Sequence, residues 1–234
     1  MLDFPVAWQL FWNKFIEGQG YKNFLIGLEN TAIIAVFGLI IGFLIGCMLA
    51  IVNILRSRSI PVLILKGIVN VYITLFRGTP MVVQLLLLHY AVFSLLSINI
   101  DSVAEAVIIF GMNSGAYMAE IIRSGINAVD EGQMEAGRCV GMSFGATMVR
   151  IVLPQAIKNI LPTIGNEFIS LIKETSVVSF IAVMDITKSF QTIANSTYEY
   201  FIPYIMLALV YLVIVLLFTV LLKNLEKRMK KNER

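Results

Sequence analysis

The chain has 234 residues, 58% of them hydrophobic and only 14% charged, with a formal net charge of +3. Soluble domains carry about 25% charged residues, so the composition excludes an ordinary soluble enzyme and indicates an integral membrane protein of one domain. Two cysteines, Cys47 and Cys139, and the single His89 point to neither a disulfide framework nor a metal site.

Residues 1–23 form an N-terminal segment. Phe4, Trp8, Phe11, Trp12 and Phe15 fall at i, i+4, i+7, i+8 and i+11, which predicts an amphipathic helix lying in the external interface. Asp3, Lys14 and Glu17 interrupt any apolar h-region, so no cleavable signal peptide is expected. Residues 24–222 then form a transmembrane domain. A bilayer core about 30 Å thick takes roughly 20 apolar helical residues. Five spans are expected: Ala32–Val52, Met81–Leu96 led in by Val62–Phe76, Ala104–Ile122, Leu161–Met184 and Phe201–Leu222. Gly38, Gly42 and Gly46 in the first span, and Gly111, Gly115 and Ala119 in the third, recur every four residues. Small residues at that spacing let helix backbones approach closely. A basic tail, 223–234, closes the chain.

Lysine and arginine set the orientation. The tail residues Lys223, Lys227, Arg228, Lys230 and Lys231 are expected inside, together with Arg56, Arg58, Arg138, Arg150 and Lys158. With five spans the N-terminus is then outside and the C-terminus cytoplasmic.

Between the third and fourth spans lies a polar loop, about 126–158, punctuated by glycine. It contains Glu135-Ala136-Gly137, then Gly141, then Ile151-Val152-Leu153-Pro154. This spacing resembles the EAA loop of the permease subunits of type I ATP-binding-cassette importers. Arg77-Gly78-Thr79-Pro80 with Val83-Gln84, Gly115 to Gly125, and Asn166 to Ser176 are similar to elements of the polar amino-acid permease subfamily. The resemblance covers roughly Gly27 to Leu222. It implies an all-α fold, the ABC type I permease fold, in a bacterial inner membrane. The loop would be a coupling helix seated in a cytoplasmic ATPase, with Glu135, Ala136, Gly137, Arg138 and Gly141 as its contacts. Gly137 stands where many members have a second alanine. The resemblance also implies two ATPase subunits, a second permease (identical or related) and an external substrate-binding protein, with no nucleic acid. ATP and Mg would belong to the ATPase. No G-x-x-x-x-G-K-[ST] phosphate loop occurs in the chain, so energy is expected from a partner and no cofactor or catalytic residue is assigned here.

Polar groups inside a span are expensive and therefore functional candidates. Asn113, Tyr117, Glu120 and Ser124 share one face of the third span. Glu167, Ser170 and Glu174 share one of the fourth, with Lys173 beside it. Lys173 to Ser176 is a polar break, tolerated at membrane depth only in protein or against water. Asn113, Tyr117, Lys173 and Glu174, with Gln84 and Glu120 behind them, are the candidate contacts for a substrate amino acid, whose ammonium needs an acceptor and whose carboxylate needs a donor. Arg77 suits a carboxylate or a hinge. The paired acids lean toward a basic or amide side chain. The expected function is import of a polar amino acid by alternating access. The alternatives are an ion-gradient-driven secondary transporter, which would commonly carry internal repeats, and a channel or scaffold subunit.

Overall fold

The computed structural model describes residues 3–55 and 59–231; Arg56 and Arg58 lie outside the described residues. Among these there is no strand. Helix α1 (Phe4–Trp12) begins with Pro5 in its first turn and runs on through a π turn, Asn13–Glu17. It is followed by α2 (Gly20–Ile54), α3 (Ile60–Gly78) and α4 (Met81–Leu87), the last prolonged by π turns to Phe93. Next come α5 (Ser102–Asn127), α6 (Glu131–Cys139) and α7 (Phe144–Thr147). The chain ends with α8 (Leu153–Glu174), α9 (Ile186–Thr197) and α10 (Phe201–Lys231).

By length and composition, α2, α3 and the Phe201–Met229 stretch of α10 are each apolar and long enough to cross a membrane. The lead-in expected over Val62–Phe76 is thus a helix of 19 residues in its own right. The span expected over Met81–Leu96 is the shorter apolar helix Met81–Phe93. Pro80 separates the two. It has no N–H to continue a helix and it forces the preceding residue out of the α region; Thr79 accordingly adopts φ −119°, ψ 147°. The polar break read at Lys173–Ser176 is present as a change of helix type. α8 ends at Glu174 and tightens into a 3-10 helix, Thr175–Ile181, which stops at Ala182 in the left-handed region.

The chain divides into two compact units, and the division falls inside α2, α5, α8 and α10. The first unit takes the chain up to Gly38, Pro80–Phe110 and Ile169–Val220. Its core joins Ala7 and Phe11 of α1 to Ile186, Phe190 and Ile193 of α9 and to Ile202. Phe11 stacks on Phe190 with ring centroids 6.3 Å apart. One edge of α1 is therefore core, while Phe4 and Trp8 stay exposed. Asp185 starts α9 by accepting the N–H groups of Thr187 (3.0 Å) and Lys188 (2.8 Å). Gly27 approaches this corner so closely that a Cβ there would lie 2.5 Å from the Asp185 carbonyl oxygen.

The second unit takes Leu39–Thr79, Gly111–Phe168 and the chain from Leu221. Here the small-residue stripes do what their spacing suggests. A Cβ on Gly42 would sit 2.6 Å from the Ser114 Cβ, Gly46 lies against Met118, and a Cβ on Gly115 would meet the Ile45 Cβ at 2.8 Å. Ala119 packs with Val69 and Ile73 of α3. The Tyr72 hydroxyl donates to the Met112 carbonyl at 2.5 Å. We expect Gly42→Val to overpack the α2–α5 contact and destabilise the protein by about 1–3 kcal/mol. A lowered unfolding temperature in detergent would register this, and an unchanged one would contradict the close approach.

Candidate functional site

The polar loop folds as two short helices about a glycine corner. Asp130 caps α6, its Oδ1 accepting the Gly132 N–H at 2.7 Å. At the other end the Gly141 N–H reaches the Arg138 carbonyl (3.1 Å) and the Met142 N–H reaches the Gly137 carbonyl (3.1 Å). These are the two bonds of a Schellman cap. Gly141 supplies its left-handed residue at φ +85°, a conformation that β-carbon sterics penalise in other residues. The Arg138 guanidinium locks the corner by donating from Nη1 to the Met142 carbonyl at 2.9 Å. Ser143 then caps α7, its hydroxyl oxygen accepting from the Ala146 N–H at 3.2 Å.

Gly137 is buried where α6 turns back on the following chain. A Cβ there would come within 3.0 Å of Thr147 Oγ1 and 3.2 Å of Ile151 Cδ1. The glycine at this position, a departure from the alanine of the resembled family, is thus a packing requirement here. Glu135, Ala136, Cys139, Gly141 and Gly145 are all exposed. So are Val140 and Val149. The loop's base is apolar: Val129, Val152, Ala156 and Ile160 cluster with Ala50 of α2 and Ile122 of α5. Gln155 of α8 donates to the Gln133 side chain of α6 at 3.1 Å. A force on the exposed face would therefore reach α2, α5 and α8 through close-packed side chains, which deform little.

The same unit holds an open chamber of about 390 Å3, whose lining combines Ile121, Gly125 and Ala128 with the polar side chains of Arg77, Tyr117, Glu120, Ser124, Asn159 and Thr163. The Arg77 guanidinium lies 5.5 Å from the centre of the Tyr117 ring, within cation–π range. Glu120 Oε2 stands 3.9 Å from Arg77 Nη1 and accepts from Arg123 Nε at 3.0 Å, and Arg123 Nη2 also pairs with Glu120 Oε1. A carboxylate flanked by two guanidiniums, with an aromatic ring and amide and hydroxyl groups in the same lining, can hold both ends of a zwitterion.

Of the sequence candidates, Tyr117 and Glu120 come together in this chamber. Asn113 shares the unit but is 3% exposed. Its Nδ2 donates to the Phe76 carbonyl at 3.4 Å, in the last turn of α3 where such carbonyls lack helical partners. Glu167 Oε1 accepts from the Ser114 hydroxyl at 3.3 Å. Gln84, Lys173 and Glu174 belong to the other unit. There Gln84 is buried and Lys173 lines a separate recess of about 360 Å3 with Ser176, Thr187, Tyr204 and Tyr211. Asn159 and Thr163 were missed in the sequence; their i, i+4 polar spacing within the first half of α8 was the available signal. Among the described residues no cluster of His, Cys, Asp or Glu could hold a metal ion.

A polytopic helical membrane protein with a chamber that carries charged and polar side chains, and an exposed helix pair keyed into its core, defines a transport permease rather than an anchor. Comparison with known proteins agrees. A model of the family "Binding-protein-dependent transport system inner membrane component" matches residues 38–231, and the chain belongs to that family. A putative glutamine transport system permease of Rickettsia typhi is 37% identical over 215 residues, covering 91% of this chain and 96% of the relative. The arginine transport system permease ArtQ of Bacillus subtilis is 40% identical over 209 residues, covering 89% of this chain and 93% of the relative. Among solved structures, an amino acid ABC transporter with histidines matches with a TM-score of 0.82 and 41% identity, covering 91% of this chain and 96% of its own. The MetNI methionine transporter, 16% identical with a TM-score of 0.65, shares the fold. The resemblance drawn from the motifs is borne out, and the protein is a multi-pass inner-membrane permease of an ABC importer.

Proposed function

We propose that this permease imports a polar amino acid with a basic or amide side chain, driven by ATP that a cytoplasmic ATPase hydrolyses. The observation that carries the reading is the coupling loop: an exposed corner at Gly141 whose base interlocks with α2, α5 and α8. Relatives named for glutamine and arginine transport support the substrate class. Glu135, Ala136, Gly137, Arg138 and Gly141 form or shape the ATPase-facing surface. Two permeases, two ATPases and an external binding protein make the working importer. ATP-driven closure of the ATPases would draw the two loops together and open the permeases outward. Hydrolysis would restore the inward state. Each site in the chain then changes exposure between two populated states.

Within the membrane, Tyr117 and Glu120 with Arg77, and Lys173 with Glu174, are the substrate contacts, with Gln84 behind them, and Asn113 ties α5 to α3. Proteoliposomes holding permease, ATPase and binding protein should take up arginine or glutamine only with internal ATP and Mg. Uptake driven by an ion gradient without ATP would overturn the reading and establish the secondary-transporter alternative.

The basic residues after Leu222 argue for a cytoplasmic C-terminus and an external N-terminus. In intact cells, an impermeant thiol reagent should modify single cysteines at Lys188 or Asn195 and spare those at Gly145 or Lys227. Modification at Gly145 from outside would invert the topology.

A further inference from the structure

Two cavities in the second unit meet where the apolar run of α2 gives way to polar residues, and neither is lined by Arg77, Tyr117 or Glu120. The first, about 420 Å3, is walled by apolar side chains, among them Ala50, Ile51 and Ile122. The second, about 580 Å3, includes Asn53, Arg123, Asn127, Asp130 and Glu131. Ile54, Ile126, Phe144 and Met148 line both. The two are therefore one amphipathic groove, apolar toward the middle of α2 and polar at its C-terminal end.

We infer that this groove seats a single phospholipid with a primary-ammonium, zwitterionic headgroup, its acyl chain in the apolar limb. Three observations select this occupant. The polar limb begins at Asn53, one residue beyond the uncharged stretch Ala32–Val52, the depth at which hydrocarbon yields to headgroups. Among the described residues its charges are one guanidinium, Arg123, and two carboxylates, Asp130 and Glu131. Arg123 gives its Nε and Nη2 to Glu120, so Nη1 and the Asn53 and Asn127 amides are the donors for a phosphate, while the carboxylates accept from an ammonium. Because the carboxylates outnumber the guanidinium, a purely anionic headgroup is disfavoured. Finally, a polar amino acid, which carries the same two charges, has no use for an apolar limb.

The occupant would bear on coupling. Phe144 begins α7 and Met148 follows it, so both belong to the loop that faces the ATPase. Met148 also packs against the cluster that joins the loop to α2 and α5. A chain filling the groove would brace the loop from its membrane side.

The test uses the assembled permease–ATPase complex. Native mass spectrometry after detergent purification should show phosphatidylethanolamine retained, one molecule per permease. In vesicles of equal thickness, binding-protein-stimulated ATPase should be at least about threefold higher with phosphatidylethanolamine than with phosphatidylcholine or phosphatidylglycerol. Ile51 is 61% exposed, so Ile51→Trp should fill the apolar limb without disturbing the core. It should abolish retention and remove the lipid preference while the complex stays assembled. Glu131→Gln should reduce retention of phosphatidylethanolamine while leaving that of phosphatidylcholine unchanged. Equal retention of all three lipids, or unchanged retention in Ile51→Trp, overturns the inference. So does efficient cross-linking of Ile51→Cys to a second permease or to the ATPase, which would show that protein covers the groove.

Discussion

Replacing Gly141 with tryptophan should abolish ATP-driven uptake and reduce recovery of the ATPase with the permease, while the protein still inserts and folds. Two properties of the position combine to this end. Its φ of +85° disfavours any residue with a β-carbon, at about 1–2 kcal/mol. Nothing within 4 Å would meet an added Cβ and the corner is exposed, so the added bulk has solvent to occupy. The strain alone is small beside a typical folding stability of about 5–15 kcal/mol, whereas an indole on a docking surface blocks close approach outright. Gly141→Ala separates the two effects, since it carries the strain without the bulk. We expect it to keep substantial uptake, with the tryptophan variant at least about tenfold lower, a difference of about 1.4 kcal/mol. Normal uptake and normal assembly in Gly141→Trp would remove the loop from the coupling path.

Glu120→Gln should cut uptake by about tenfold or more while binding-protein-stimulated ATPase activity persists. The Glu120 carboxylate lies between Arg77 and Arg123 in a chamber that also presents Tyr117, Asn159 and Thr163. Hydrogen bonds to charged groups contribute about 1.5–3 kcal/mol. Losing one such acceptor for a substrate ammonium therefore accounts for an effect of that size. Because Glu120 also pairs with arginines, stability must be tracked in parallel; a parallel loss of stability and ATPase activity would assign it a structural role instead. Glu174→Gln, in the other unit, should shift substrate preference more than rate. Asn113→Ala should act mainly on stability, because its amide answers the Phe76 carbonyl. Unchanged uptake and unchanged preference in Glu120→Gln and Glu174→Gln would place selection wholly in the external binding protein.

The all-α class, the membrane location and the glycine-punctuated polar loop were legible in the sequence because each rests on local chemistry. Hydrophobic runs read out directly as buried or lipid-facing helix, and the loop's glycine spacing survives as a Schellman cap at Gly141. The four-residue stripes reappear as the contacts of Gly42, Gly46 and Gly115, since helical geometry alone sets which residues share a face. The break at Lys173–Ser176 likewise became a change from α to 3-10 helix. Helix α3 was less legible. Its lysine and arginine interrupt the apolar run, so Val62–Phe76 read as a lead-in to the Met81–Leu96 span rather than as a helix in its own right.

Local chemistry does not say which distant residues meet. The approach of Arg77 to Tyr117 and Glu120, and of α8's Asn159 and Thr163 to the same chamber, depends on how three helices far apart in sequence cross. Helical periodicity put Asn113 on the face of Tyr117 and Glu120, yet packing against α3 buries it and leaves the others at the chamber. The aromatic stripe of α1 was likewise correct as a stripe, but only the tertiary structure turned Phe11 onto Phe190 and made that edge core. The requirement for glycine at 137 appears only when Thr147 and Ile151 fold back over it. Sequence periodicity determines which faces exist; the crossing of helices decides which of them close on protein and which remain open to lipid, substrate or partner.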